Sequence, residues 1–336
     1  MFFLKKICNL VFLVLLLSSF SEAYFKQNDT GEEAFSFLGS FYSPRNAALE
    51  NANGAMPFSD LGVSFLNPAS FKLNPEQKNA VAFYWQTGEF ADNQGSVSLA
   101  RKFNTMTATI SYGWIKYGDI DGYDENGNAT GETYSPQSSV TAATLSFPLP
   151  HFEFGTTLKF ATDLLSGKSN DQTAMALALD WGMLWQSQSK KLGVGFAARD
   201  FGKMIRAYVK DGDDDYGLDE TFALSGFYIP GALPRLTLFA ETTVPRYAES
   251  AISVAGEYAI GSSLFARIGF SRTWLDISRD VKEIFSSAAR PNETNDARLL
   301  SAGLGYTGSR FALDYAFSYL AQGLGTEHRV GLSFHF

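Results

Sequence analysis

Cysteine occurs once in this 336-residue chain, at Cys8, inside a leader-like stretch, so the remainder has no thiol for a disulfide or for a lipid-modified cysteine. No stretch of about 18 apolar residues follows that leader, which excludes a helical membrane span. Positive charge is also short: 27 Lys and Arg against 35 Asp and Glu give a net charge of -8, the wrong sign for a nucleic-acid partner. Histidine is scarce, with only His151, His328 and His335, which leaves few candidate general bases.

What is present is alternation. Phe311, Leu313, Tyr315, Phe317 and Tyr319 alternate with Ala312, Asp314, Ala316 and Ser318, and Val330, Leu332, Phe334 and Phe336 alternate with Arg329, Gly331, Ser333 and His335. A period of two puts one set on each face of a strand, and an aromatic-rich face opposite a small or charged one suits a strand with lipid outside and water inside. The same pattern is strong at Met106 to Tyr117, Phe152 to Phe160 and Ala174 to Trp185. It recurs more weakly near 80–86, 95–103, 139–147, 191–200, 221–229, 235–243, 251–260, 263–272 and 298–306. The total predicts an all-β fold, an antiparallel transmembrane β-barrel of about fourteen strands over residues 79–336.

Connections provide an independent check on that count. Tight turns fall around Asn104, Pro148, Gln188, Pro230, Gly261 and Gly308, and long polar stretches at 118–138, 201–219 and 274–297 all fall on the other side. Short periplasmic turns and longer outer loops are the pattern of outer-membrane barrels. The N-terminus agrees: Lys5 and Lys6, an apolar run from Val11 to Leu17 and Ser21-Glu22-Ala23 read as a signal peptide over residues 1–23, and hence as export to a bacterial outer membrane.

Register fixes the faces. The parity that sends aromatic residues to lipid sends Lys159, Glu241, Glu257, Arg267, Asp314 and Arg329 to the lumen, and a slip of one residue would turn them all outward. The stretch from Gly31 to Gln77 does not alternate, and residues 24–78 read as an N-terminal plug or hatch segment. Pro44-Arg45-Asn46-Ala47-Ala48 and Asn67-Pro68-Ala69 suit a compact irregular segment, and Phe35, Phe37, Leu38, Phe41 and Phe58 favour a plug in the barrel over a flexible lead-in. Arg45 is the cation expected to meet Glu241 or Glu257, completing a lumen charge network.

The segment Pro44 to Leu49 followed by Asn67, Pro68 and Ala69 resembles the N-terminal signature of the FadL-like outer-membrane superfamily. Within it, Tyr117 to Glu132, reading YGDIDGYDENGNATGE, resembles a loop of the PorV/PorQ family of type IX secretion proteins, the PorQ branch in particular. Leu158-Lys159-Phe160, Ala178 to Gly182 and Ala198 to Gly202 fit as well, although Asp200 stands where the family more usually has Asn. The resemblance implies a fourteen-strand barrel with an N-terminal hatch. It also implies a non-enzymatic role beside other secretion and attachment proteins or sorting-domain cargo, without a cofactor.

Tyr117, Gly118, Asp124, Asn126, Gly127 and Gly131 are then the residues expected to shape a partner-facing loop. Against this stands a second class, a FadL-type channel for hydrophobic small molecules. Other chemistry fits poorly: the acids from Asp119 to Asp124 lack the spacing of a calcium loop, the cluster Asp211 to Asp215 reads as a solvated tip, and no acid is placed to orient His335 beside Ser333.

Overall fold

The computed structural model describes residues 33–40, 43–88, 91–149, 152–165, 172–210, 216–285, 298–320 and 325–336. The leader, Phe41, His151, the acids at 211–215 and the second half of the 274–297 loop lie outside the described residues.

Fourteen antiparallel strands form a closed barrel in which each strand pairs with its neighbours in sequence. They are β1 (Asn79–Thr87), β2 (Asn93–Lys102), β3 (Thr107–Lys116), β4 (Gln137–Pro148), β5 (Phe152–Leu164), β6 (Ala174–Gln186) and β7 (Leu192–Arg206). The second half is β8 (Thr221–Tyr228), β9 (Leu236–Pro245), β10 (Ala251–Ala259), β11 (Leu264–Thr273), β12 (Arg298–Thr307), β13 (Phe311–Leu320) and β14 (Thr326–His335). Closure comes from β14 pairing with β1, His335 opposite Ala80 and Val330 opposite Trp85, so no sheet edge is left open. The α-helices among the described residues are α1 (Pro44–Ala48) and α2 (Trp274–Phe285), and neither is long and apolar enough to cross a membrane.

Burial alternates as the sequence predicts. Leu158, Leu177, Leu179, Trp181, Ile268, Leu304 and Leu313 are exposed on the outer wall, while Lys159, Asp180, Arg267 and Ser301 are buried on the inner one. An apolar band outside and polar groups inside is the energetic requirement of a lipid-embedded barrel.

Two loop expectations need correction. Strand β7 continues to Arg206, beyond the expected loop start at 201, because a register shift between Ala198 and Phe201 breaks the alternation there. Arg199 and Asp200 are consecutive yet both buried, and Asp200 carries the positive φ of 62° that such a bulge can require. The stretch at 274–297 opens with helix α2, whose first turn is capped by Thr273 Oγ1 accepting from the Asp276 amide at 3.2 Å. The third loop, 118–138, contains a two-stranded hairpin, Ile120–Tyr123 with Ala129–Tyr134.

Inside the barrel lies the N-terminal segment. Its described part begins at the loop end, where Glu33–Ala34 pair in parallel with Gly217–Leu218. It ends near the turn end, where Lys72 Nζ meets Glu153 Oε1 at 2.5 Å. Between these points Ala47, Ala48, Leu49, Leu61 and Val63 have no exposed surface.

Candidate functional site: the filled lumen and the loop end

The lumen segment is held by close backbone approach and by charge. Helix α1 starts with proline in its first turn, and the Ser43 hydroxyl accepts from the Asn46 amide at 3.2 Å. Glycines on facing strands make room for it. A Cβ at Gly269 of β11 would stand 2.8 Å from the backbone at Leu49 and Glu50, so any other residue would push the segment away. Farther along, Asp60 accepts from the Tyr84 hydroxyl at 2.6 Å and also bonds the Ser43 hydroxyl, tying two turns of the segment to β1.

Asn67, Pro68 and Ala69 form the next anchor. The Asn67 side-chain amide donates to the Gly54 carbonyl at 3.0 Å and to the Met183 carbonyl at 3.3 Å, its oxygen accepts from the Ala69 amide at 3.0 Å, and the Pro68 carbonyl accepts from Ser146 Oγ at 2.6 Å. One side chain thus satisfies backbone groups of the segment and of the wall, which an irregular buried chain needs.

The charges expected in the lumen all sit there, but they fall into separate clusters. Arg45, Glu257, Arg267 and Asp314 form one: Arg45 Nη2 lies 2.6 Å from Glu257 Oε1, Arg267 Nε lies 2.7 Å from Glu257 Oε2, and Arg267 also pairs with Asp314. The Arg45 guanidinium additionally stacks over the Phe58 ring, 3.5 Å from its centroid. Lys159 forms a second cluster with Asp180 and Asp200, at 2.9 and 2.7 Å. The Asp200 amide donates to Asp180 at 2.8 Å, so the bulge itself places this acid. Glu241 pairs with Arg199 at 3.7 Å rather than with Arg45, and Arg329 lies 3.5 Å from Glu327. A single network is therefore the wrong description. Asp180, the second acid on Lys159, was legible as an inward position, whereas Arg199 and Asp200 were hidden by the broken parity.

At the loop end the hairpin is organised by one carboxylate. Asp124 accepts from the amides of Asn126 at 2.9 Å and Asn128 at 2.8 Å and from the Asn128 side chain at 3.1 Å. The Asn128 hydrogen bonds hold its carboxyl below the usual range. Among the described residues no group of three or more His, Cys, Asp or Glu side chains is placed to hold a metal ion. Gly118 and Gly127 have φ of 86° and 80°, conformations that favour glycine. Gly131 has φ of 75° in the returning strand, and Tyr117, at the hairpin base, accepts from the Ser138 hydroxyl at 3.4 Å. Tyr123 and Ile120 are exposed on the hairpin.

Next to the hairpin base is a cavity of about 250 Å3 between the lumen segment and the wall, lined by Phe37, Gln94, Ile115, Tyr117, Glu327 and Arg329 among others. Across the barrel mouth Asp219 accepts from the Tyr247 amide at 3.0 Å, and burial pushes its carboxyl up to about 6. The two described histidines are engaged elsewhere: His328 shares a 2.8 Å hydrogen bond with the Tyr315 hydroxyl on the outer face, and His335 Nε2 lies 3.1 Å from the Ser59 carbonyl.

No protein-family model and no curated protein matches the sequence. Solved structures do match. A TodX monoaromatic hydrocarbon channel mutant aligns over 88% of this chain and 98% of its own, with a TM-score of 0.58 and 11% identity. The toluene transporter TodX of P. putida aligns over 88% and 99%, with a TM-score of 0.55 and 9% identity. The toluene transporter TbuX of Ralstonia pickettii aligns over 90% and 98%, with a TM-score of 0.52 and 12% identity. The fold is that of the FadL-like outer-membrane barrels. At these identities the likeness concerns the fold alone, and the apolar outer band is the face a lipid-embedded barrel presents.

Proposed function

We propose that the protein is a non-enzymatic component of protein secretion and surface attachment that presents its loop end to partner proteins. The observation that carries this reading is the filled lumen. A solute crossing the barrel would have to displace a segment fixed by the Arg45, Glu257, Arg267 and Asp314 cluster and by backbone packed against glycine. Pulling Arg45 off Glu257 gives up a charge-assisted hydrogen bond worth roughly 1.5–3 kcal/mol, in addition to the packing of the segment against the wall. The working surface is then the loop end, where the hairpin stands exposed and internally ordered. The kind of partner comes from the resemblance of Tyr117 to Glu132 to the PorV/PorQ family: attachment-complex proteins or sorting-domain cargo of a type IX-like system.

A second reading is a FadL-type channel for hydrophobic small molecules. The proteins of similar fold are a hydrocarbon channel and toluene transporters, which favours it over the secretion role, and the 250 Å3 cavity beside Phe37 and Ile115 gives it an entry point. Deleting the gene separates the two. Loss of sorting-domain proteins from the cell surface with toluene uptake unchanged supports secretion. Lost uptake with normal surface attachment would replace that reading with the channel.

A further inference from the structure

The outer wall carries a hollow near the turn end, on strands β1 to β4. Two lateral rows of outward residues define it. Val81, Leu99, Ile110 and Ala143 are paired across the strands in one row, and Asn79, Arg101, Ala108 and Leu145 in the row nearer the turns. Leu99 and Ile110 stand 53% and 54% exposed, whereas Ala108 and Ala143 contribute almost no side chain between them. The result is a groove of about 720 Å3, closed toward the turn end by Phe103 and Phe336.

Arg101 is the informative member. Its strand parity turns it outward, toward lipid, with its guanidinium 5.7 Å from the Phe103 ring centroid. Among the described residues no carboxylate forms an ion pair with it, and the residues lining the groove include no Asp or Glu. A cation on the lipid face is tolerable near the interface and not at the midplane. Lying beside the turn at 103–106, Arg101 stands at headgroup depth, where the bilayer supplies negatively charged lipid phosphates.

We infer that this groove binds one phospholipid of the leaflet at the turn end, with its phosphate on Arg101 and an acyl chain in the hollow above Ala108 and Ala143. Charge and shape select the same occupant: the cation is at the polar end of the groove, and the apolar part runs up the wall where an acyl chain would lie. The site is separate from the lumen and the loop end, so it does not depend on the secretion reading.

The test uses the full barrel in mild detergent, titrated with dioleoylphosphatidylglycerol and then with dioleoylphosphatidylcholine, with retained lipids counted by native mass spectrometry. The wild-type protein should retain one lipid saturably, phosphatidylglycerol more tightly than phosphatidylcholine. Arg101→Gln should weaken that retention roughly five-fold, the worth of one cation at an anionic lipid surface. Ala143→Phe fills the hollow with an apolar residue on an apolar face and should weaken retention of both lipids. Leu238→Phe, outward on β9 across the barrel, should change neither. Gel mobility before and after heating confirms that each variant is folded. Equal retention by all four proteins, or graded uptake without saturation, would reduce the groove to ordinary lipid contact and overturn the inference.

Discussion

Arg45→Ala should release the lumen segment without unfolding the barrel. The substitution removes a 2.6 Å charge-assisted hydrogen bond to Glu257, worth roughly 1.5–3 kcal/mol, while Glu257 keeps Arg267 at 2.7 Å and is not stranded. It also removes the guanidinium stacked on Phe58, worth about 0.5–2 kcal/mol. The sum is roughly 2–5 kcal/mol, borne by the segment and not by the strand ladder. When opening is fast relative to cleavage, proteolysis tracks the open population, and each 1.4 kcal/mol is tenfold, so even the lower bound predicts cleavage between residues 43 and 75 accelerated by about 30-fold. Limited proteolysis of the folded barrel in detergent measures this, with heat-dependent gel mobility as the check on the strands. Glu257→Gln in the Arg45→Ala background should add less than it does alone, since the pair is already broken. Unchanged cleavage in Arg45→Ala would refute the idea that this cluster holds the segment.

The remaining predictions concern the wall, the second charge cluster and the mouth. Leu179→Arg, on the outer face at the middle of β6, should destabilise the barrel by roughly 2–4 kcal/mol, and Leu313→Arg, two residues from the turn end of β13, by about 0–1 kcal/mol; urea unfolding followed by gel mobility compares them. Lys159→Met strands Asp180 and Asp200 in the interior and should cost roughly 3–5 kcal/mol in the same assay. Asp219 binds its proton more tightly in the fold than in the unfolded chain, with its carboxyl pushed from 3.8 up to about 6. The stability it contributes is therefore full below pH about 4 and lost as pH rises through about 6, and Asp219→Asn should flatten that slope in hydrogen exchange at the barrel mouth.

The barrel could be read from sequence because a lipid-embedded strand is constrained on both faces. Placing Lys159, Glu257 or Arg267 outward is costly, so parity alone located them. What escaped has a physical reason in each instance. The bulge at Arg199 and Asp200 breaks the period of two, which makes β7 read as ending too early. The hairpin at 120–134 has mostly exposed faces, so no buried side writes an alternation into it. Helix α2 is amphipathic over Trp274–Phe285, but its charges make the connection that holds it read as a solvated loop. Charge partners are the least legible, because Arg45 and Glu257 lie 212 residues apart and only the fold decides that Glu241 goes to Arg199 instead. The residues expected to shape a partner-facing loop were legible as turn formers, Gly118 and Gly127 by their backbone and Asp124 by its hydrogen bonds, but the sequence could not show that they build a hairpin.

The most direct test of the working-surface claim replaces residues 119–131 with a neutral linker in a barrel shown to be assembled by its heat-dependent mobility. Sorting-domain proteins on the surface of intact cells are then quantified against wild type. The account predicts that attachment falls to the level of the gene deletion while the barrel remains in the outer membrane. Wild-type attachment with the hairpin gone would contradict it.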